Sequence, residues 1–397
     1  MLAYRLLRLG LCITVTLLCI RTSNLHASQQ TGDDNPPAIS THAEASALID
    51  VTSGRLLYSD NGDTPMRIAS LTKIMTAIVA IEHGKLSSMV KTGKRAAGRE
   101  GSSIYLRLGE EMKLLDMLYG LMLRSGNDAA TAIAEHVGGS EEGFVALMNE
   151  KAAYLGLTNT QFMNPHGLDD DGHYSSANDL AKLTAYALKN PVFAKIVATD
   201  VKTAPNPYDP WDYKWKNKNK MLRLYEGADG VKTGYTKKAF RCLVSSATRN
   251  GQQLAAVTLN DGDDWNDHMR LLDWGFAHFK LTQLTDKGAV IEGTSYVAGQ
   301  AFRYPLAESE KDQVRYKAVY VKADSVQSAL GERGALEWYL NGAKIGAVPL
   351  VDAGSARLKL PERKPMTEEA WADYKKAAGG GFLSEMAKAW SALFKGD

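Results

Sequence analysis

The sequence predicts an α/β (α+β) sandwich, an antiparallel sheet flanked by helices, with a small all-β module after it. Three observations carry this reading. A hairpin leads, with strand-like runs at residues 45–50 and 55–58 joined by Val51-Thr52-Ser53-Gly54. Apolar residues at helical spacing fill the middle, and strand character returns at residues 230–235, 242–247 and 254–259. Helices enclosed between leading and trailing strands pack on the sheet those strands form. After about residue 289 come short strand-like runs at 316–321 and 336–340, then Asn341-Gly342, a strong hairpin turn, then 345–350.

The whole chain allows this. Its 397 residues suit two domains, and 45% hydrophobic with 23% charged residues is an ordinary balance for a globular protein with a sizeable core. The first residues differ. Arg5 and Arg8 precede an uncharged apolar run at 9–20, and His26-Ala27 before Ser28 forms a cleavage site. This reads as a signal peptide over residues 1–27, short for a membrane span; an uncleaved anchor is the alternative. Taking its three arginines from 47 basic residues leaves 44 against 45 acidic ones, so net charge gives no nucleic-acid signature. Cys12 and Cys19 leave with it, and Cys242 remains alone as a buried core residue without an internal disulfide. Export without disulfides suits a bacterial envelope protein.

In the middle of the chain, Ile68-Ala69-Ser70-Leu71-Thr72-Lys73 opens a helix that runs to Gly84 through Ile74, Met75, Ile78, Val79 and Ile81. Residues 110–123 form a second apolar helix, Ser125-Gly126-Asn127 interrupts it, and helix resumes at 128–136. Ser140 caps another, with Glu141 and Glu142 in its first turn and Gly156 at its end. Asn164-Pro165-His166-Gly167 is a turn, and residues 177–188 and 267–279 are helical. The tail from 363 forms helix, with Phe382, Met386, Trp390, Leu393 and Phe394 on one face. Such a face lies in a membrane interface or docks on its own protein.

Ser70 and Lys73, three apart, are neighbours on one helical face, the geometry a serine nucleophile needs if an amine is to take its proton. Alone the pattern is weak, and Ser88 with Lys91 repeats it after the helix stop. Partners give it weight. Ser125-Gly126-Asn127 and Lys232-Thr233-Gly234 follow in order, the latter in a strand where Gly234 lets a substrate backbone approach. A second Lys-Thr-Gly, residues 91–93, lies outside that order. The ordered trio Ser-x-x-Lys, Ser-x-Asn, Lys-Thr-Gly is the signature of penicillin-binding proteins and related β-lactamases.

On these motifs the chain resembles the serine-type D-Ala-D-Ala carboxypeptidases, the low-molecular-weight penicillin-binding proteins, from about residue 45 to 279. Ile49-Asp50, Ser53-Gly54, Leu57-Tyr58, Asn164 to Leu168, Tyr174-Ser175-Ser176-Ala177, Asp179-Leu180, Asn217, Asn219, Leu222 and Asp229 to Thr236 belong to the likeness. The family usually has a small residue after Lys-Thr-Gly where this chain has Lys237-Lys238-Ala239-Phe240-Arg241. The resemblance implies the transpeptidase-type fold and assigns roles. Ser70 attacks the bond between two terminal D-alanines, Lys73 is its base, and Ser125 relays a proton to the leaving amine. Asn127, Lys232, Thr233, Gly234 and Tyr235 bind substrate, with the Ser70 and Tyr235 amides as oxyanion hole. It implies no cofactor. The expected partners are peptidoglycan stem peptides, β-lactams as covalent inhibitors and the membrane surface through the C-terminal helix, not nucleic acid. The expected organisation is signal peptide 1–27, catalytic domain 28–285, β module 286–362 and helical tail 363–397, at the extracytoplasmic face of a bacterial membrane.

Rivals remain. A β-lactamase needs a Glu-x-x-Leu-Asn, and none lies between Asn127 and Lys232. A D,D-endopeptidase shares every motif, and a non-catalytic wall-binding protein would use the β module instead. Asp169-Asp170-Asp171 with His173 lacks metal-ligand spacing, so no metal site is expected. Trp211, Tyr213 and Trp215 among Lys214, Lys216, Lys218 and Lys220 read first as a solvated strand face, then as a groove for an acidic or glycan substrate.

Overall fold

A computed structural model describes residues 35–359. In chain order the elements are β1 (Ala43–Asp50), β2 (Leu56–Asp60), a 3-10 turn (Ala69–Thr72), α1 (Lys73–His83), β3 (Met89–Lys91), β4 (Glu111–Lys113), α2 (Leu114–Arg124), α3 (Asn127–Gly138), α4 (Glu141–Tyr154), α5 (Ala177–Leu188) and α6 (Pro191–Ala198). There follow β5 (Val201–Ala204), β6 (Tyr213–Lys216), α7 (Met221–Leu224), β7 (Ala228–Thr236), β8 (Phe240–Arg249), β9 (Gln252–Asp261) and α8 (Asp264–His278). Strands β10 (Lys280–Thr285), β11 (Tyr296–Ala298), β12 (Phe302–Leu306), β13 (Val314–Tyr320), β14 (Gly334–Leu340) and β15 (Ala343–Asp352) follow, with a short helix α9 (Val326–Ala329) and 3-10 turns at Glu308–Gln313 and Ala356–Lys359.

The main sheet has five antiparallel strands in the order β2-β1-β9-β8-β7. Alternation along the central strands builds two cores, because successive side chains leave opposite faces. Ala47, Ile49, Val244, Ala255, Val257 and Leu259 face a large core shared with α1 to α6. Leu48, Leu243, Leu254 and Ala256 face a smaller one with Leu271 and Leu272 of α8. With both faces covered, the strands read as nearly continuous apolar runs. Strand β7 lies at one end of the sheet, and its only described neighbour is β8.

Local chemistry sets the boundaries. The Ser140 hydroxyl accepts from the Gly143 amide and starts α4; Ser176 does the same for α5 through Asp179. Two expectations change. Ser70 does not lie in the α-helix but in the tight turn before it, and α1 begins at Lys73. The expected helix at 110–123 begins at Leu114. Residues 111–113 pair with β3, and buried Glu110 just before them accepts from the Arg107 amide and the Tyr213 hydroxyl.

The trailing strands form two sheets, β10-β12 and β11-β15-β14-β13. The β14–β15 hairpin turns at Asn341 and Gly342 with φ of 52° and 80°, the pair of positive angles that favours Asn-Gly there. The first sheet reaches back to the β1–β2 hairpin through Arg55. Its guanidinium donates to the Pro305 carbonyl (2.6 Å) and to both carboxylate oxygens of Glu310, and stacks on Phe279 and Tyr304. Both charges are largely out of solvent, so removing one strands the other. Arg55→Ala should lower the unfolding free energy by about 3 kcal/mol in urea denaturation. Arg55→Lys should recover little, since an ammonium cannot make the two-pronged contact.

Candidate active site

Lys73, the first residue of α1, is fully buried (0% exposed). Its Nζ lies 2.9 Å from Ser70 Oγ, 2.8 Å from Asn127 Oδ1 and 2.5 Å from the His166 carbonyl. These groups come from three segments: the nucleophile turn, the first residue of α3, and the Asn164–Gly167 turn. Asn127 is fixed in turn, its amide Nδ2 donating to the Glu100 carbonyl (2.7 Å) and its backbone N–H to Ser102 O (2.7 Å). Next to it Asp128 accepts from the amides of Ile104 and Leu106 and the Ser103 hydroxyl, pinning the loop that borders the site.

Ser125 is buried between α2 and α3, at φ 65° and ψ 35°. A left-handed backbone at a non-glycine residue costs about 1 kcal/mol and persists where its surroundings fix it. Here it closes α2 and lets α3 restart two residues later. Lys232, 2% exposed, points its amine at the Thr233 carbonyl (2.7 Å). Thr233 and Gly234 are half-buried, and Tyr235 stands out at 64% exposed. At Gly234, β7 runs directly beside the nucleophile turn: a methyl there would lie 3.2 Å from the Ile68 carbonyl and 3.3 Å from the Ser70 amide nitrogen. Gly167 is tighter still. Its φ is +80°, and a Cβ would overlap the Ala69 carbonyl oxygen.

The electrostatics follow from burial and like charge. Burial lowers the Lys73 amine well below an ordinary lysine; Lys232 and Lys218 push it further, and Asp128 opposes. Burial, then Lys218, brings Lys232 down to about 7. Lys218 is itself lowered by burial and Arg124, and its Nζ lies 3.1 Å from Ser102 Oγ.

Lys218 and the His166 carbonyl escaped the sequence reading. Lys218 looked like one of several alternating cations; the signal was its place between Asn217 and Asn219. Asn217 donates to the Val197 and Thr199 carbonyls at the end of α6, and Lys218 N–H bonds to Leu123 O. Trp215 is buried under stacked Tyr213, while Lys214 and Lys216 are exposed, so that run is a strand face with one side in the core. Asp169 binds Thr236, Asp171 binds Arg67, and both His173 nitrogens have protein partners. The alternative Lys-Thr-Gly begins at the end of β3 and Ser88 donates to Lys85 O, both apart from these groups.

Comparison with known proteins now decides the family. The profile described as D-alanyl-D-alanine carboxypeptidase matches residues 29–263. The chain belongs to the D-alanyl-D-alanine carboxypeptidase family. It is 37% identical over 276 residues to D-alanyl-D-alanine carboxypeptidase DacF of Bacillus subtilis, covering 68% of this chain and 71% of that one. It is 32% identical over 380 residues to DacC of Escherichia coli, covering 88% and 92%. Among solved structures, penicillin binding protein 5 of Haemophilus influenzae superposes with a TM-score of 0.65 at 28% identity, over 80% of this chain and 98% of that one. The antiparallel sheet flanked by helices is thus the penicillin-binding-protein fold. In a carboxypeptidase of this family, buried lysines are a stability cost. The folded state lowers Lys232 to about 7, so between that and the ordinary 10.5 the unfolded chain binds more protons. Its contribution therefore improves as pH rises through this window. Lys232→Met should raise the melting temperature at pH 7 and raise it less at pH 10.5, while suppressing β-lactam acylation.

Proposed function

We propose that this chain removes the terminal D-alanine from peptidoglycan stem peptides through an acyl-enzyme on Ser70. One observation carries the assignment of roles: the three contacts of the Lys73 amine. The Asn127 and His166 carbonyl oxygens only accept, so they take the two N–H bonds of a neutral amine. The third direction, toward Ser70 Oγ, is left for the lone pair, which takes the serine proton as Oγ attacks. The lowered basicity of Lys73 supports a neutral amine before attack.

The other roles are those the family resemblance implies. The Ser70 and Tyr235 amides bind the oxyanion of the tetrahedral intermediate, a role supported by the close approach of Gly234 to the Ser70 amide. Ser125 hands the proton to the leaving D-alanine amine. Asn127 orients Lys73 and the substrate amide. Lys232, backed by Lys218, meets the terminal carboxylate, and the end strand β7, with Thr233, takes the extended peptide as an added strand. Water then cleaves the ester and frees Ser70. β-Lactams present a strained amide to the same nucleophile and leave a covalent adduct.

The proposed organisation is a catalytic domain over residues 28–285 and a β module over 286–362, exported by the 1–27 signal peptide to the extracytoplasmic side of the membrane. The β10–β12 pairing ties the two across that boundary. Among the described residues no helix is long and apolar enough to cross a membrane. The expected amphipathic tail, 363–397, and the signal peptide lie outside the described residues.

Intact mass after incubation with a penicillin tests the reading. Wild type should gain one penicillin mass and Ser70→Ala none; no gain on either would sink the enzyme reading. Lys73→Ala should slow acylation by about 10²–10⁴-fold. Incubation with monomeric pentapeptide and with cross-linked muropeptides should release D-alanine from the former. Cleavage of cross-links alone would point to an endopeptidase.

A further inference from the structure

The nucleophile turn carries an unusual strain. Ala69, immediately before Ser70, has φ 46°, a left-handed angle at a residue with a Cβ. Such a conformation persists only when neighbours over-determine it. The neighbours here form a chain of hydrogen bonds whose proton positions can be read from chemistry alone. The Met163 backbone N–H, which can only donate, points at His173 Nδ1 (3.1 Å), so Nδ1 is the acceptor and the ring proton sits on Nε2. Nε2 lies 2.7 Å from Thr72 Oγ1 and donates to it. The one proton of the Thr72 hydroxyl is then free to go to the Ala69 carbonyl oxygen, 2.8 Å away. Every donor is used once. The same carbonyl is crowded by Gly167, where a side chain would not fit because its Cβ would overlap the Ala69 oxygen and run against Thr72 Oγ1.

We propose that His173 and Thr72 are positioning residues for the nucleophile: the ordered chain from the Met163 amide to the Ala69 carbonyl holds the turn that presents Ser70. Both side chains are buried, and the imidazole lies edge-on to Phe162 with ring centroids 5.7 Å apart. Neither touches the reacting atoms; they act through the peptide on which the Ser70 amide and hydroxyl are hung. The imidazole stays neutral, pushed to about 4 by burial, His166 and Lys73. It therefore adds no further cation beside the catalytic amine, and Nδ1 keeps its lone pair for Met163. His173 is thus a fixed relay of hydrogen-bond direction within the loop that also supplies the His166 carbonyl to Lys73.

The inference rests on Ser70 as the acylated residue, and one experiment separates the two. The full chain and its variants are mixed with a fluorescent penicillin, and the acylation rate constant is resolved from the preceding binding constant. Thr72→Val and His173→Phe should each slow acylation about ten- to a hundredfold, with binding changed less than about twofold, since a misplaced nucleophile costs rate. The double variant should be no slower than the worse single one, because both break one chain. Thr72→Ser keeps the hydroxyl, and His173→Gln keeps an acceptor and a donor at the ring's two polar positions. Both should recover most of the rate. Unchanged rates in Thr72→Val and His173→Phe overturn the proposal. So do multiplicative losses in the double variant, or a His173→Gln protein that melts like wild type yet acylates as slowly as His173→Phe. Wild type that takes no label overturns the Ser70 reading and this inference with it, whereas a labelled wild type with unaffected variants overturns this inference alone.

Discussion

Everything at the centre of this molecule depends on keeping one primary amine, that of Lys73, out of water and less basic than an ordinary lysine. An ammonium in bulk solvent is a poor base at neutral pH; the same group surrounded by protein and faced by other cations is a usable one. The fold meets this requirement by burying the Lys73 amine and facing it with Lys232 and Lys218, while two carbonyl oxygens, from Asn127 and His166, hold it in place. Each holder has its own anchor: Glu100 for Asn127, and the Asn164 side chain, which accepts from the Gly167 amide, for the turn bearing His166. The arrangement is costly in isolation, because Lys73 and Lys232 are both buried cations in waiting. The compensation comes from the two apolar layers on either side of the sheet.

The sheet also explains why the site lies where it does. Its middle strands are committed to both cores and have no free edge. Strand β7 is paired only with β8 among the described residues, so its other side can meet a peptide while its glycine admits the nucleophile turn. The strand proposed to bind peptide therefore also runs beside the turn that carries Ser70. A shift of β7 by one residue would exchange Lys232 and Thr233 between the two faces and dismantle both.

The layout was legible in the sequence where one residue type has one physical use. Asn341-Gly342 marked its hairpin, Ser140 its helix start, and the ordered trio put Ser70, Lys73, Asn127 and Lys232 on a single list that the fold then brings close together. What stayed hidden depends on contacts between distant segments. Residues 111–113 leave the apparent helix to pair with β3, and Glu110 beside them is held by Tyr213, a hundred residues later. The helix start slips from Ser70 to Lys73 where Ala69 is left-handed and Gly167 and Thr72 meet its carbonyl. Lys218 matters through its placement beside two other lysines, which no local pattern reveals. The His166 contribution comes from a main-chain carbonyl and so has no residue signature.

Cys242 sits on β8 within the large core, and burial pushes its thiol up to about 12. Thiolate is the form that oxidants, disulfide exchangers and alkylating probes attack, and at neutral pH this side chain supplies almost none. A cysteine introduced on the surface, at Lys237 or in the exposed strand β13, would react ahead of Cys242. Dyes or spin labels could report on peptide binding without first removing Cys242.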